Sequence, residues 1–229
     1  MYRKNAIVAG VLFFIGTVTG VLSVVVMGPI VDADNYLAEI ADNETRFIVG
    51  NLLILAMGLS LAMVPVALYP ALRRVDEVLA QGYLLFRGAL ETVTYFFTVL
   101  GYALLLVISR EMGDIAPADA NQLQHIATVL RGLEPWTANL LTFVFITGAF
   151  MLYYILFRYR LLPRWLSVWG LLSAVPYALV GFLVLFDVVE HNSDADTLLR
   201  MPLAFQEMVM AGWFVARGLQ PAAFKEIEP

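Results

Sequence analysis

The sequence contains no cysteine, only two histidines, and charged side chains at just 14% of its 229 positions. The lack of cysteine excludes disulfides, thiolate metal sites and cysteine nucleophiles. Both histidines, His125 and His191, fall in polar stretches between apolar runs, so a haem held by two histidines inside a membrane would have no ligands. There is no His-Glu-x-x-His zinc motif and no phosphate-binding glycine loop. Gly58-Leu-Ser-Leu61 lacks the final glycine of an intramembrane serine-protease motif, and no membrane histidine is available to activate Ser60. His191 stands among Asp187, Glu190, Asp194 and Asp196, a pattern that reads as a solvated acidic loop before it reads as a divalent-cation site. The expectation is a protein without metal or cofactor, and hydrolase chemistry of the familiar kinds has no support.

Scarcity of charge also bounds the solvent. A soluble domain carries charge at about a quarter of its positions, whereas this chain is 61% hydrophobic with a mean hydropathy of +0.79. It has too little polar surface to cover itself in water, and lipid is the natural surroundings for the surplus. Its apolar runs are Ala6–Met27, Phe47–Tyr69, Leu79–Ile108, Trp136–Phe157, Trp165–Phe186 and Met201–Ala216. They are separated by stop signals at Gly28-Pro29, Pro70, Gly113 to Pro117, Leu162-Pro163 and His191 to Asp194. A helical span needs roughly 20 apolar residues, so six spans and their loops use up the chain, residues 1–229, as one transmembrane domain. Lipid leaves only helices or closed barrels viable, and these runs are too long and continuous for barrel strands of about 10 alternating residues. The predicted class is all-α, a polytopic six-transmembrane-helix bundle. Ala6–Met27 is too long for the apolar core of a cleaved leader and lacks a small-x-small site, so it reads as a retained first helix.

Orientation follows from the cations. One side collects Arg3, Lys4, Arg73, Arg74, Arg158, Arg160, Arg164, Arg217 and Lys225, the other Arg46, Arg110, Arg131 and Arg200, with Arg87 left inside a span. Nine against four predicts both termini in the cytoplasm. The outer loops are acidic to match, with Asp32, Asp34, Glu39, Asp42 and Glu44 after the first run. Trp136, Trp165 and Tyr69 stand at interfacial depth. Segments 34–45 and 117–133 carry enough helical spacing to form short helices in outer loops. This distribution leaves no basic face for nucleic acid.

The third run holds the chemistry. Tyr83, Arg87, Glu91, Thr94 and Thr98 recur at spacings of four, four, three and four and so share a helix face. Glu91 lies eleven residues beyond Ala80, roughly 16 Å along the axis, near mid-membrane. In the sixth run Gln206 and Glu207 are also enclosed by apolar residues. A charged residue at a span centre costs about 2.5–3.5 kcal/mol on an insertion scale, so three unpaired ones would rival the stability of a domain. The expectation is an inward-facing cluster in which Arg87 bridges Glu91 and Glu207. Arg four residues before Glu is the poorer order for a pair along one helix, which puts the weight on the contact to Glu207. Two carboxylates facing one guanidinium leave one negative charge in excess unless a proton is held there, which makes the group a candidate proton or ligand site. The competing reading is a purely structural lock between two helices. Gly16 and Gly20 form a small-xxx-small motif suited to close packing within the bundle. Asn51 and Asn139 can hydrogen-bond between helices, Pro65 and Pro176 can kink them, and Tyr177 supplies a hydroxyl at mid-membrane depth.

Several short segments occur together in order: Ala9-Gly-Val-Leu-Phe-Phe-Ile-Gly16 with Gly20, Leu68-Tyr-Pro-Ala-Leu-Arg-Arg-Val75, Arg87-x-x-x-Glu91, Leu162-Pro-Arg-Trp-Leu-Ser167 with Gly170, and Pro202 to Glu207 with Trp213 and Gly218. In combination, over nearly the whole chain, the sequence resembles the bacterial membrane family called domain of unknown function 4386. It departs in Pro70 and in a longer acidic third loop. The resemblance implies a six-helix protein of the bacterial inner membrane and points to Arg87, Glu91 and Glu207, but it implies no activity, substrate or cofactor. Three functions stay open: a binding protein or carrier for a small solute, lipid or proton, with Arg87, Glu91, Glu207, Gln206, Tyr83, Thr94 and Thr98 as candidate ligands; a structural or regulatory partner of another membrane protein; and an intramembrane enzyme using a glutamate as acid or base. A filled core favours the second, and a cavity reaching the cluster favours the first or third.

Overall fold

The computed structural model describes residues 2–112 and 117–220. Apolar runs that cannot leave backbone groups unpaired in lipid become helices, and the described residues contain helices and no strand. In chain order these are α1 Arg3–Val31, α2 Tyr36–Asp42, α3 Glu44–Leu72, α4 Glu77–Tyr83, a π-helical segment Leu84–Leu90 continuous with α5 Glu91–Met112, α6 Pro117–Gly132, α7 Glu134–Arg158, α8 Arg164–Leu185 and α9 Asp194–Ala216.

Five stretches are long and apolar enough to cross a membrane: Arg3–Val31, Glu44–Leu72, Glu77–Met112, Ala120–Arg158 and Arg164–Leu185. The chain is therefore a multi-pass helical membrane protein. Its outward surfaces agree, since Val18, Val21, Val24 and Val25 of α1 and Phe96, Phe97 and Leu100 of α5 are all exposed, which only lipid makes inexpensive. The sixth expected run is a helix, α9, but it is not among the five. At 23 residues it is long enough; Arg200, Gln206 and Glu207 lower its apolar character.

The helix ends differ from the sequence reading in ways the caps explain. α9 begins at Asp194 and not Met201, because the Ser193 hydroxyl accepts the Asp196 N–H (3.3 Å) and Asp194 and Asp196 lie at the positive end of the helix dipole. The expected stops at Pro29 and Pro70 do not end their helices; α1 runs to Val31 and α3 to Leu72. A proline in the last turn forfeits only one intrahelical bond and leaves little helix beyond it to disturb. Asp76 caps α4, accepting the Leu79 N–H at 3.0 Å. The stop expected at Gly113 falls on residues 113–116, outside the described residues, as do Lys225 and the rest of 221–229.

The long helices neighbour one another in a closed ring: α1 packs on α3, α3 on α5, α5 on α7, α7 on α8, α8 on α9, and α9 back on α1. Small residues make the closest crossings possible. A Cβ at Gly10 of α1 would stand 2.6 Å from the carbonyl oxygen of Ala211 on α9. Gly16 and Gly20 face Leu61 and Met57 of α3, so the small-residue motif packs inside the molecule. Asn51 donates to the Val99 carbonyl at 3.0 Å, joining α3 to α5. α2 buries Tyr36, Leu37 and Ile40, and its Leu37 carbonyl accepts the Ser109 hydroxyl at 2.6 Å.

Candidate functional site

Arg87 sits in the π-helical turn, where the Glu91 N–H bonds to the Phe86 carbonyl five residues back. Such turns recur at functional sites. Here the widened turn lies under close packing from two sides. A Cβ at Gly148 of α7 would be 3.2 Å from the Arg87 backbone nitrogen, and one at Gly88 would meet Pro65 of α3 at 3.3 Å. The turn leaves Tyr83, Arg87, Glu91 and Thr94 all buried.

Arg87 joins both expected partners. Its Nη1 is 3.2 Å from Glu91 Oε2 and its Nη2 is 3.2 Å from Glu207 Oε1 on α9. Arg87 is 3% exposed and Glu91 1%, whereas the Glu207 side chain retains 16%. The guanidinium lies over Phe145 of α7 at 4.3 Å and Phe13 of α1 at 5.7 Å, so aromatic faces complete its surroundings. Tyr95 donates to Glu91 Oε1 at 3.4 Å. Tyr153 sits beside Glu207, and among the described residues the Tyr83 hydroxyl is buried without a hydrogen-bond partner.

The other residues of the expected set point elsewhere. Thr94 donates to the Glu91 carbonyl at 2.6 Å and Thr98 to the Thr94 carbonyl at 3.3 Å, both within α5. Gln206 turns to α8 and donates to the Leu166 carbonyl at 3.1 Å.

A second ionic group stands beside the first. Arg200 belongs to α9 and not to an outer loop, and its Nε is 2.5 Å from Asp196 Oδ1. Its Nη1 donates to Thr142 Oγ1 at 2.8 Å, and its guanidinium lies over the Tyr177 ring at 4.8 Å. Asp196, 2% exposed, also accepts the Asn192 N–H at 3.1 Å and has His191 Nδ1 at 3.6 Å. Asp196, Arg200, Leu203 and Glu207 follow spacings of four, three and four along one face of α9. That stripe could have been read from the sequence in the same way as the one on the third run.

Both groups border one interhelical space. A cavity of about 220 Å³ is lined by Arg87, Glu91, Glu207, Tyr95, Tyr177 and Arg200, among others. A second of about 360 Å³ shares Tyr177, Arg200, Leu141 and Ala204 with it and reaches His191 and Asn192 in the α8–α9 loop. The two spaces adjoin at Arg200 and Tyr177 and together extend from that loop to the buried carboxylates. Three carboxylates, Glu91, Glu207 and Asp196, face two guanidiniums, Arg87 and Arg200. One negative charge is therefore uncompensated when all five are ionised, and Glu207 is the carboxylate with exposure left toward the space. Among the described residues no group of three or more His, Asp or Glu is placed to hold a metal ion.

Neither a curated protein nor a solved structure matches the chain. A family model described as Domain of unknown function (DUF4386) matches residues 8–218, and the chain belongs to that family.

Proposed function

We propose that this protein binds a small monovalent cation or a proton in the cavity beside Arg87, Glu91 and Glu207, and works as a carrier for it across a bacterial inner membrane. The observation that carries the reading is the cavity itself: it borders a cluster with one carboxylate charge in excess and adjoins a second space that reaches the α8–α9 loop. A core needed only for packing would be filled at that point.

The carrier reading includes α9 as a sixth crossing, with both termini cytoplasmic and the chain one transmembrane domain. At 23 residues, α9 spans about 35 Å. Its Arg200, Gln206 and Glu207 are engaged by neighbouring helices, while Leu198, Met201, Phe205 and Val209 form an exposed apolar stripe at spacings of three, four and four. A helix built this way fits lipid on one side despite its mean composition.

A second reading, a static clamp, draws support from the saturation of Arg87 by two carboxylates and two aromatic rings. Full-length protein in proteoliposomes loaded with a pH-sensitive dye separates the two, with methylammonium and sodium as probe cations. The carrier reading expects proton or probe flux above protein-free vesicles, abolished by Glu207→Gln with the fold retained. Folded wild-type protein that carries neither protons nor either probe leaves the clamp.

A further inference from the structure

A recess of about 220 Å³ lies between α5 and the corner where α6 meets α7, well separated in its lining residues from the charged cavity. Its walls are almost wholly apolar, with Phe97, Leu100, Leu104 and Leu133 exposed on the outer surface of the bundle. Its floor includes Gly101. A Cβ there would meet nothing within 4 Å, unlike those at the packing glycines Gly10 and Gly148. Glycine in a helix interior is destabilising relative to alanine, and no neighbour demands it at this position; what it leaves is room.

The rim carries one cation and one anion three residues apart. Arg131, at the end of α6, lies over the Tyr36 ring at 4.4 Å, and Glu134, at the start of α7, accepts the Tyr102 hydroxyl at 3.1 Å. Among the described residues neither makes an ion pair. Trp136 projects from the same corner, 62% exposed, as indoles do at headgroup depth.

We propose that this recess is a binding site for one phospholipid with a primary-ammonium headgroup. Its phosphate meets Arg131, its ammonium meets Glu134, and an acyl chain lies in the groove over Gly101. The charge pattern selects the occupant. An anionic headgroup has no cation to offer Glu134, a trimethylated headgroup has no N–H to donate to it, and a purely apolar ligand leaves both rim charges unmatched. A second copy of this chain would have to present an exposed cation and anion at the same spacing.

Native mass spectrometry of the detergent-purified full chain tests this, with phosphatidylethanolamine, phosphatidylcholine and phosphatidylglycerol of matched acyl chains added in turn, and soluble phosphoethanolamine as a headgroup control. The expected result is preferential retention of one phosphatidylethanolamine. Glu134→Gln should lose that preference roughly tenfold, and Arg131→Gln should weaken all three lipids. Gly101→Phe should lower occupancy by every lipid, and Gly101→Ala should leave the profile near wild type, guarding against a folding defect in the larger variant. Equal retention of the three lipids, or a preference untouched by Glu134→Gln, would mean annular lipid only and overturn the proposal. So would binding of phosphoethanolamine as strong as that of the lipid, or a dimer in place of a lipid adduct.

Discussion

Arg87 and Glu207 stand 120 positions apart in the sequence and 3.2 Å apart in the fold. The pair ties the π-helical turn between α4 and α5 to α9, elements that otherwise approach mainly through their neighbours. α9 is also held by Gln206 on the Leu166 carbonyl and by Arg200 on Thr142, but among the described residues only this pair places a buried guanidinium against its counter-ion across the ring.

Breaking that pair should cost stability. Arg87→Ala leaves two carboxylates buried without their cation and should destabilise the detergent-solubilised protein by about 3–5 kcal/mol. Glu207→Gln removes one of those charges, so the double variant should recover part of the loss, with a coupling of about 1–3 kcal/mol. Thermal unfolding of the four proteins gives the cycle. Strict additivity would mean that the two side chains do not depend on each other.

Much of this geometry is legible in the sequence, and the parts that are not have physical causes. Placing Arg87, Glu91 and Glu207 together follows from the cost of charge in lipid and from helical spacing, and the fold brings them together. Arg200 reads as a loop cation because the polar run around Asp194 and Asp196 hides the start of α9; a single Ser193 cap turns that run into helix. The π-helical turn is not legible at all. Apart from Gly88, Leu84 to Leu90 are ordinary helix residues, and the widening accompanies tight approaches at Gly88 and Gly148 that involve residues far along the chain. Thr94 and Thr98 lie on the expected face, yet a threonine in a helix readily turns its hydroxyl to its own backbone, as both do here.

Two glycines should answer alanine with opposite signs. At Gly10 the added methyl meets a backbone carbonyl of Ala211 that cannot swing away, so α1 and α9 must separate and stability should fall by roughly 1–3 kcal/mol. At Gly101 the methyl meets open space, and the gain in helix propensity should stabilise by up to about 1 kcal/mol. Melting temperatures measured side by side decide the matter; equal losses at both sites would contradict the packing described for α1 and α9.

The cavity should be wet. Since the chain has no cysteine, a single introduced thiol reports its own surroundings without background. Ala204 lines both cavities, whereas its neighbour Phe205 belongs to the outward apolar stripe. Ala204→Cys should react with a small charged methanethiosulfonate reagent at least roughly tenfold faster than Phe205→Cys, because a thiolate attacks the reagent's sulfur and expels methanesulfinate, and thiolates form in water. A slow reaction at both positions would mean that water does not reach the space below Arg200.

Whether α9 crosses the membrane decides between five spans and six. Its mean composition keeps it out of the five apolar stretches, while its outward stripe and inward polar residues fit a helix with lipid on one side. A compartment-sensitive reporter inserted after Asn192, in the α8–α9 loop, and the same reporter fused after Pro229 must report opposite compartments if α9 spans. With Arg200 counted in α9, the cation bias is nine to three, so the Pro229 fusion should be cytoplasmic and the Asn192 insertion periplasmic. The same compartment for both would leave five crossings. Glu207 and Arg200 would then sit on a helix that enters without spanning, and a carrier path past them would have no far side.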